Sequence, residues 1–294
     1  MAADAELLLV LAVLGLGAAV VNGALGHGFS SMTVPVALLF TTGRTLNPAL
    51  VLVELVLNGH VLLASRAALP AVRRRVLPLV IGLVPGVGLG AGFLRTADPA
   101  WVKLAAFGAL LPLVLLQAAG FRRPVRAERA AAATLGLGVG ALYAVTTVSG
   151  PPLALAFNNQ GLVQREFRAA LALVRMAEGV LTAAAYLALG LYAASTPRLV
   201  LAMLPGVVLG VPLGAALARR LEPEAFRRLC MSFDAWIVGF GLSRLLADLG
   251  LLEPLGAHAL LAAVILLDAA LLYRFYRGRR GTRCRAPLGL ERAA

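Results

Sequence analysis

Apolar residues lie along this chain in long blocks, at about residues 6–22, 24–40, 47–65, 76–94, 101–120, 130–148, 151–157, 167–190, 198–218, 228–248 and 256–276. Most blocks approach the ~20 residues that a helix needs to cross the hydrocarbon core of a bilayer. Two places depart from that length. Around Gly23–Ser31 and Ser149–Pro152 the pattern gives pairs of short pieces, each pair too cramped for two full crossings. The second place reads TTVSGPPLALAFNNQG (146–161). Proline has no N–H to donate, and Pro152 pushes Pro151 out of helical geometry. One half-helix should end there and another begin.

The two places are related to each other. GALGHGFSSMTVPVALLF (23–40) lies without a gap over GALYAVTTVSGPPLALAF (140–157), with seven of 18 positions identical. After a small insertion PALVLVE (48–54) lies over RAALALVR (168–175), which sets Glu54 against Arg175. Further on, PGVGLG (85–90) matches PGVVLG (205–210). An Ala- and Leu-rich chain gives chance matches, but three blocks in the same order point to a duplication.

Composition agrees with the pattern. The chain is 60% hydrophobic and 14% charged, too apolar for a soluble domain. A net charge of +13 would suggest nucleic acid in a soluble protein. Here the arginines fall between apolar blocks, so the expected partner is the lipid bilayer and not nucleic acid. Loops 66–75, 121–129 and 219–228 carry four arginines each and the tail 274–285 carries six, whereas loops 41–46, 95–100, 191–197 and 249–255 carry at most one each. The rich loops share the cytoplasmic side only if 130–157 enters and leaves on one side, as a re-entrant hairpin or two very short crossings. By the repeat, 6–40 does the same. The halves then become inverted repeats about an axis in the membrane plane, a common transporter plan.

The expected fold is therefore an all-α integral membrane protein. Repeat 1 covers 1–121 and repeat 2 covers 130–249, each with a broken or re-entrant helix pair plus three spanning helices. A basic cytoplasmic linker (122–129), an extra transmembrane helix (250–276) and a basic cytoplasmic tail (277–294) complete it. The N-terminus falls outside. MAADAE has no basic residue before the first block, so that block is expected to stay rather than be cleaved as a signal peptide.

The breaks suggest chemistry. Non-helical backbone at membrane depth persists only where protein buries it or water reaches it. Gly26 and Gly28 allow a tight turn, and Pro35, Pro151 and Pro152 read as structural breaks. The start of a half-helix exposes unpaired N–H groups and the positive end of its dipole. Hydroxyls gather at the same points: Ser30, Ser31 and Thr33 in one, Thr146, Thr147 and Ser149, beside Gly150, in the other. Two such ends meeting at mid-membrane would hold a small anion. The plainer reading is a proline kink with serines bonded back to the helix.

Ionisable residues deep in a span are functional candidates by default. Arg175 lies mid-block and Glu178, three residues on, shares its helix face. Either Arg175 attracts the anion while Glu178 balances it or relays protons, or the two form a structural ion pair. Inverted repeats would bring Glu54 and Arg175 together across the pseudo-axis; otherwise they are two unrelated polar contacts. His27 suits a proton-coupled step or a backbone-bonded turn. Arg168 either guards the cytoplasmic entrance or snorkels. Asp234 is expected to pair with Arg244 or another helix, and Asp268 to be structural or to lie at an oligomer contact. The chain lacks a P-loop, and its histidines and cysteines are too scattered for a metal site, so no cofactor, no metal and no enzyme activity are expected. GVGLGAG (86–92) lies inside a block and reads as small residues for close helix packing.

GALGHGFSSMTVPVALL, SGPPLALAFNNQGLVQREFRAALAL and LPGVVLGVPLGAALARRLEPEAFRRL resemble the TauE/SafE family of bacterial membrane proteins, often called sulfite exporters. The shared pattern is a glycine-rich break and a proline early in each half, then Gly-Pro-Pro and Arg-Ala in the second half, then a Pro-Gly…Gly…Gly helix ending in Arg-Arg. It covers most of 15–245. The resemblance implies a permease of the bacterial cytoplasmic membrane that moves sulfite or a small organosulfonate outward without hydrolysing ATP. The first break departs from the family's near-continuous glycine run, reading Gly26-His27-Gly28-Phe29-Ser30. The expected partners are a small anion, the bilayer and a coupling proton or cation, with the oligomeric state left open. Two other readings stand beside it: uptake of another small organic or inorganic anion, and a membrane-embedded enzyme or assembly factor without transport.

Overall fold

The computed structural model describes residues 2–25, 28–119, 129–158, 162, 164–217 and 223–283. These residues form α1 (Ala2–Leu25), α2 (Phe29–Ala37), α3 (Gly43–Ala64), α4 (Leu69–Thr96), α5 (Pro99–Ala118), α6 (Arg129–Thr146), α7 (Gly150–Asn158), α8 (Gln164–Ala188), α9 (Thr196–Leu217), α10 (Pro223–Asp248) and α11 (Pro254–Arg283). Eight helical segments among them are long and apolar enough to cross a bilayer. Large apolar side chains such as Leu9, Ile81, Leu201 and Leu266 point outward, as a lipid-facing surface requires. The chain is an all-helical, multi-pass membrane protein.

Two long helix pairs form seams. The backbones of α4 and α6 approach so closely that a Cβ on Gly82 would come 2.0 Å from the Ala133 carbonyl oxygen. Gly86 meets Leu137 and Gly90 meets Ala141 in the same way, so the two helices run in the same direction. In the second seam Gly206 meets Leu16, Gly210 meets Leu16 and Val20, and Gly214 meets Val20 and Ala24, so α1 and α9 are also parallel. Small residues four apart let backbones touch where no hydrophobic force draws helices together. The packing is one helical turn out of step with the Pro-Gly match of the sequence. Gly82, Gly86 and Gly90 do for α4 what Gly206, Gly210 and Gly214 do for α9, because close approach selects glycine rows rather than Pro-Gly pairs. Within 86–92, Gly86 and Gly90 serve the seam, while Gly88 and Gly92 face open space.

The short helix α2 packs on α1, whereas α7 packs on α8 and α5. Leu38 at the end of α2 packs in one cluster with Leu7 and Leu8 of α1, Leu46 at the start of α3 and Leu199 at the start of α9. The end of α2 thus shares a core with the starts of α3 and α9. Leu153 and Phe157 of α7 pack with Val72 and Val76 at the start of α4 and with Ala169 and Ala170 at the start of α8. α7 thus lies against the starts of α4 and α8. Leu62 and Leu63 of α3 hand over to α4 through a 3-10 turn, Arg66–Ala68.

The first break turns at Gly28, whose φ of 115° is a conformation that a side chain would strain. Gly26 and His27 lie outside the described residues. Pro35 differs from its expected role: it stands inside α2, which continues to Ala37. Its missing N–H removes one bond of the ladder, and Leu38 closes the helix by donating to the Val34 carbonyl. At the second break Pro151 and Pro152 occupy the first turn of α7, where helical N–H groups have no partner anyway. Thr147, just before it, has φ 55°, the one non-glycine residue with positive φ among those described. A β-branched residue rarely adopts that conformation, so the second turn holds strain.

Candidate functional site

The start of α2, the break before α7, and the middles of α3 and α8 converge on one buried polar cluster. Its centre is Glu54 of α3, fully buried. The Ser30 hydroxyl, in the first turn of α2, donates to Glu54 Oε1. Arg175 Nη2 of α8 donates to the same oxygen at 2.7 Å. The Tyr143 hydroxyl of α6 donates to Oε2, also at 2.7 Å. One carboxylate therefore ties together four helices.

A second carboxyl lies one helical turn along α8. The Ser149 hydroxyl, at the break before α7, donates to Glu178 Oε2 at 2.5 Å. Among the described residues, Glu178 Oε1 and both Arg175 Nε and Nη1 have no hydrogen-bond partner, and Thr182 Oγ1 is likewise unsatisfied. These groups follow one another along a single face of α8, at positions three and four apart. Buried polar atoms are nearly always paired, because an unmet one loses its water without a replacement. The row leaves two guanidinium nitrogens, a carboxylate oxygen and a hydroxyl unpaired on one face of α8.

The surrounding contacts hold the cluster in place. Asn47 Nδ2 donates to the Val145 carbonyl at 2.6 Å and the Tyr186 hydroxyl to the Ala144 carbonyl at 2.5 Å. Both satisfy carbonyls left over where α6 stops. Thr33 and Thr146 bond back to Phe29 and Leu142 one turn earlier, which makes them structural. The Ser31 hydroxyl donates to the Gly28 carbonyl at 3.1 Å and also faces the Asp234 carboxyl of α10.

The structure thus brings together Ser30, Ser149, Glu54, Arg175 and Glu178. Thr147 and Gly150 are buried at the break before α7, whereas Ser31, next to Ser30 in α2, turns to Gly28 and Asp234. Arg168 is exposed at the start of α8 and takes no part. Arg175 turns to Glu54 rather than forming an ion pair with Glu178. Asp234 meets Ser31, while Arg244 is exposed. Asp268 pairs with Arg228 at 2.8 Å, joining α11 to α10. Sequence reasoning missed Tyr143 and the Ser31–Asp234 contact. The one available signal for Tyr143 was a polar aromatic in a run of small apolar residues.

Two helix breaks, glycine seams and a buried polar cluster accompany the Gly, Pro and Arg pattern of the sequence. The family described as "Sulfite exporter TauE/SafE" matches residues 11–239. The chain belongs to this family. It is accordingly a membrane permease-like protein, and the matched span contains both breaks and all five residues of the cluster. No curated protein and no solved structure matches the chain.

Proposed function

We propose that this TauE/SafE member is a secondary permease of the bacterial cytoplasmic membrane that exports a small anion, sulfite or a small organosulfonate, by alternating access. One observation carries the proposal: buried Arg175 keeps Nε and Nη1 unpaired within the cluster that Ser30 of α2 and Ser149, before α7, also enter through Glu54 and Glu178. Helix N-termini and a guanidinium both select oxyanions. Ionisable groups at membrane depth are functional candidates by default.

The architecture supports alternating access. Repeats 1–121 and 130–249 are read as inverted copies, with α1–α9 and α6–α4 as equivalent parallel seams and the broken pairs opening to opposite ends. The end that bears Arg66, Arg73, Arg74 and Arg75 is assigned to the cytoplasm by its positive charge. That assignment places the N-terminus outside and the C-terminal tail inside. Rocking of one repeat against the other would expose the cluster to each side in turn.

The test is flux of labelled sulfite in proteoliposomes, for the native chain and for Arg175→Gln. The expected result is saturable flux that falls by about 100-fold in the variant, the scale of losing a buried charged partner. Undiminished flux in a folded variant would make Arg175 structural. Flux of a different anion in place of sulfite would favour the uptake reading. Silence across a panel of small anions would favour an enzyme or assembly factor.

A further inference from the structure

The cluster already contains an anion, and it belongs to the protein. Glu54 receives the hydroxyl of Ser30, the guanidinium of Arg175 and the phenol of Tyr143 from three different helices. Three donors around a pair of oxygens with one negative charge form the set that a small oxyanion would take. We propose that Glu54 is a tethered stand-in for the transported anion: substrate must displace its carboxylate from Arg175, and the displaced carboxylate takes up a proton, so that one proton accompanies each anion. This inference rests on the anion-permease reading.

The geometry gives the order of events. Arg175 Nε and Nη1 are free, so an incoming anion first meets donors that Glu54 does not use. Its second oxygen then competes for Nη2, the donor that holds Glu54 Oε1. Once Arg175 is neutralised by the substrate, Glu54 would be a buried carboxylate without a countercharge, a state that low-dielectric surroundings strongly disfavour. Uptake of a proton from the aqueous phase removes that charge, and no covalent bond changes. The charged and titratable groups that face Glu54 are Arg175 and Glu178 from α8 and Tyr143 from α6. The described part of α2 contributes only the Ser30 hydroxyl, and α4, α5 and α9 carry their charges near their ends. Among the described residues no second cation is therefore at hand to compensate Glu54. Displacement also breaks the ion pair between α3 and α8, which would release the two halves to move only when substrate is in place.

The experiment uses methanesulfonate, which stays ionised across the working pH range, so that any pH effect comes from the protein. Self-exchange and pH-gradient-driven accumulation are measured in proteoliposomes for the native chain and for Glu54→Gln, which keeps the size of the side chain but neither competes as an anion nor carries the proton. In Glu54→Gln exchange is expected to persist, with a half-saturating concentration lowered by about tenfold, as removal of a competing occupied state predicts. Its exchange should lose pH dependence, and the gradient should no longer drive accumulation. A raised half-saturating concentration, or native pH dependence, would overturn the inference. If Glu54→Gln does not fold, Glu54→Asp shortens the tether and should lower the half-saturating concentration while keeping the pH dependence; an unchanged value would equally overturn it. Absence of methanesulfonate and sulfite flux in the native chain would overturn the sulfite and sulfonate reading on which this inference rests, and the inference with it.

Discussion

Two buried arginine–carboxylate pairs of similar geometry sit in very different places. Glu54–Arg175 measures 2.7 Å and Arg228–Asp268 measures 2.8 Å, and all four side chains are at most 4% exposed. The first joins α3 to α8, where the start of α2 and the end of α6 also meet. Both Glu54 oxygens have donors, and the unused capacity lies on the arginine. The second joins α10 to α11 at the edge of the bundle. Arg228 Nη2 also holds the Asp268 carbonyl at 3.1 Å; among the described residues Arg228 Nε and Nη1 are as unpaired as those of Arg175, and Asp268 Oδ2 has no partner either. A buried ion pair is by itself weak evidence of either stability or function. What distinguishes these two is which groups surround them: half-helix starts and a second carboxyl in one case, plain helix faces in the other.

The sharpest way to break this comparison is to replace each pair. Arg228→Leu alone leaves Asp268 buried without a countercharge and should cost about 3–5 kcal/mol. Thermal unfolding in detergent reads the loss. Replacing both Arg228 and Asp268 by leucine should restore most of it and leave methanesulfonate exchange within about twofold of native, since hydrophobic replacement of a buried pair is often neutral. The same double replacement at Glu54 and Arg175 should recover folding but not exchange. Equal transport in the two double variants would erase the distinction.

Smaller changes sharpen it. Tyr143→Phe leaves Glu54 Oε2 buried without its donor, which should cost about 1–3 kcal/mol in the same unfolding measurement. At the peripheral pair, Ser232 only bonds back to the Arg228 carbonyl at 3.2 Å. Ser232→Ala should therefore stay within about 0.5 kcal/mol of native. A larger loss from Ser232→Ala than from Tyr143→Phe would show that the edge pair, not the central one, depends on its hydroxyl neighbours.

Much of this was legible in the sequence because some residues carry strong local preferences. Apolar blocks of spanning length gave the membrane class, and the structure has eight segments that qualify. Gly28 and the Gly150-Pro151-Pro152 run marked both breaks, since few other residues suit those backbone conformations. The internal repeat set Glu54 against Arg175, and the two do meet. Pro35 was misleading, because a helix of nine residues can lose one ladder bond and still be closed at its end.

The rest depended on contacts between distant segments. Nothing local assigns Gly82, Gly86 and Gly90 to α6 rather than to any other helix. That choice follows from which backbones can touch along their whole length. Tyr143 aligns with Gly26 in the repeat, so no symmetry flagged it, and its role depends on α6 lying beside α3. The sequence alone determined helices, breaks and the identity of the charged residues, because these follow from the chain's own covalent and local preferences. Only the tertiary structure decided that Arg175 takes Glu54 and leaves Glu178 to Ser149, because hydrogen bonding in a dry interior depends on side-chain geometry within a few ångströms.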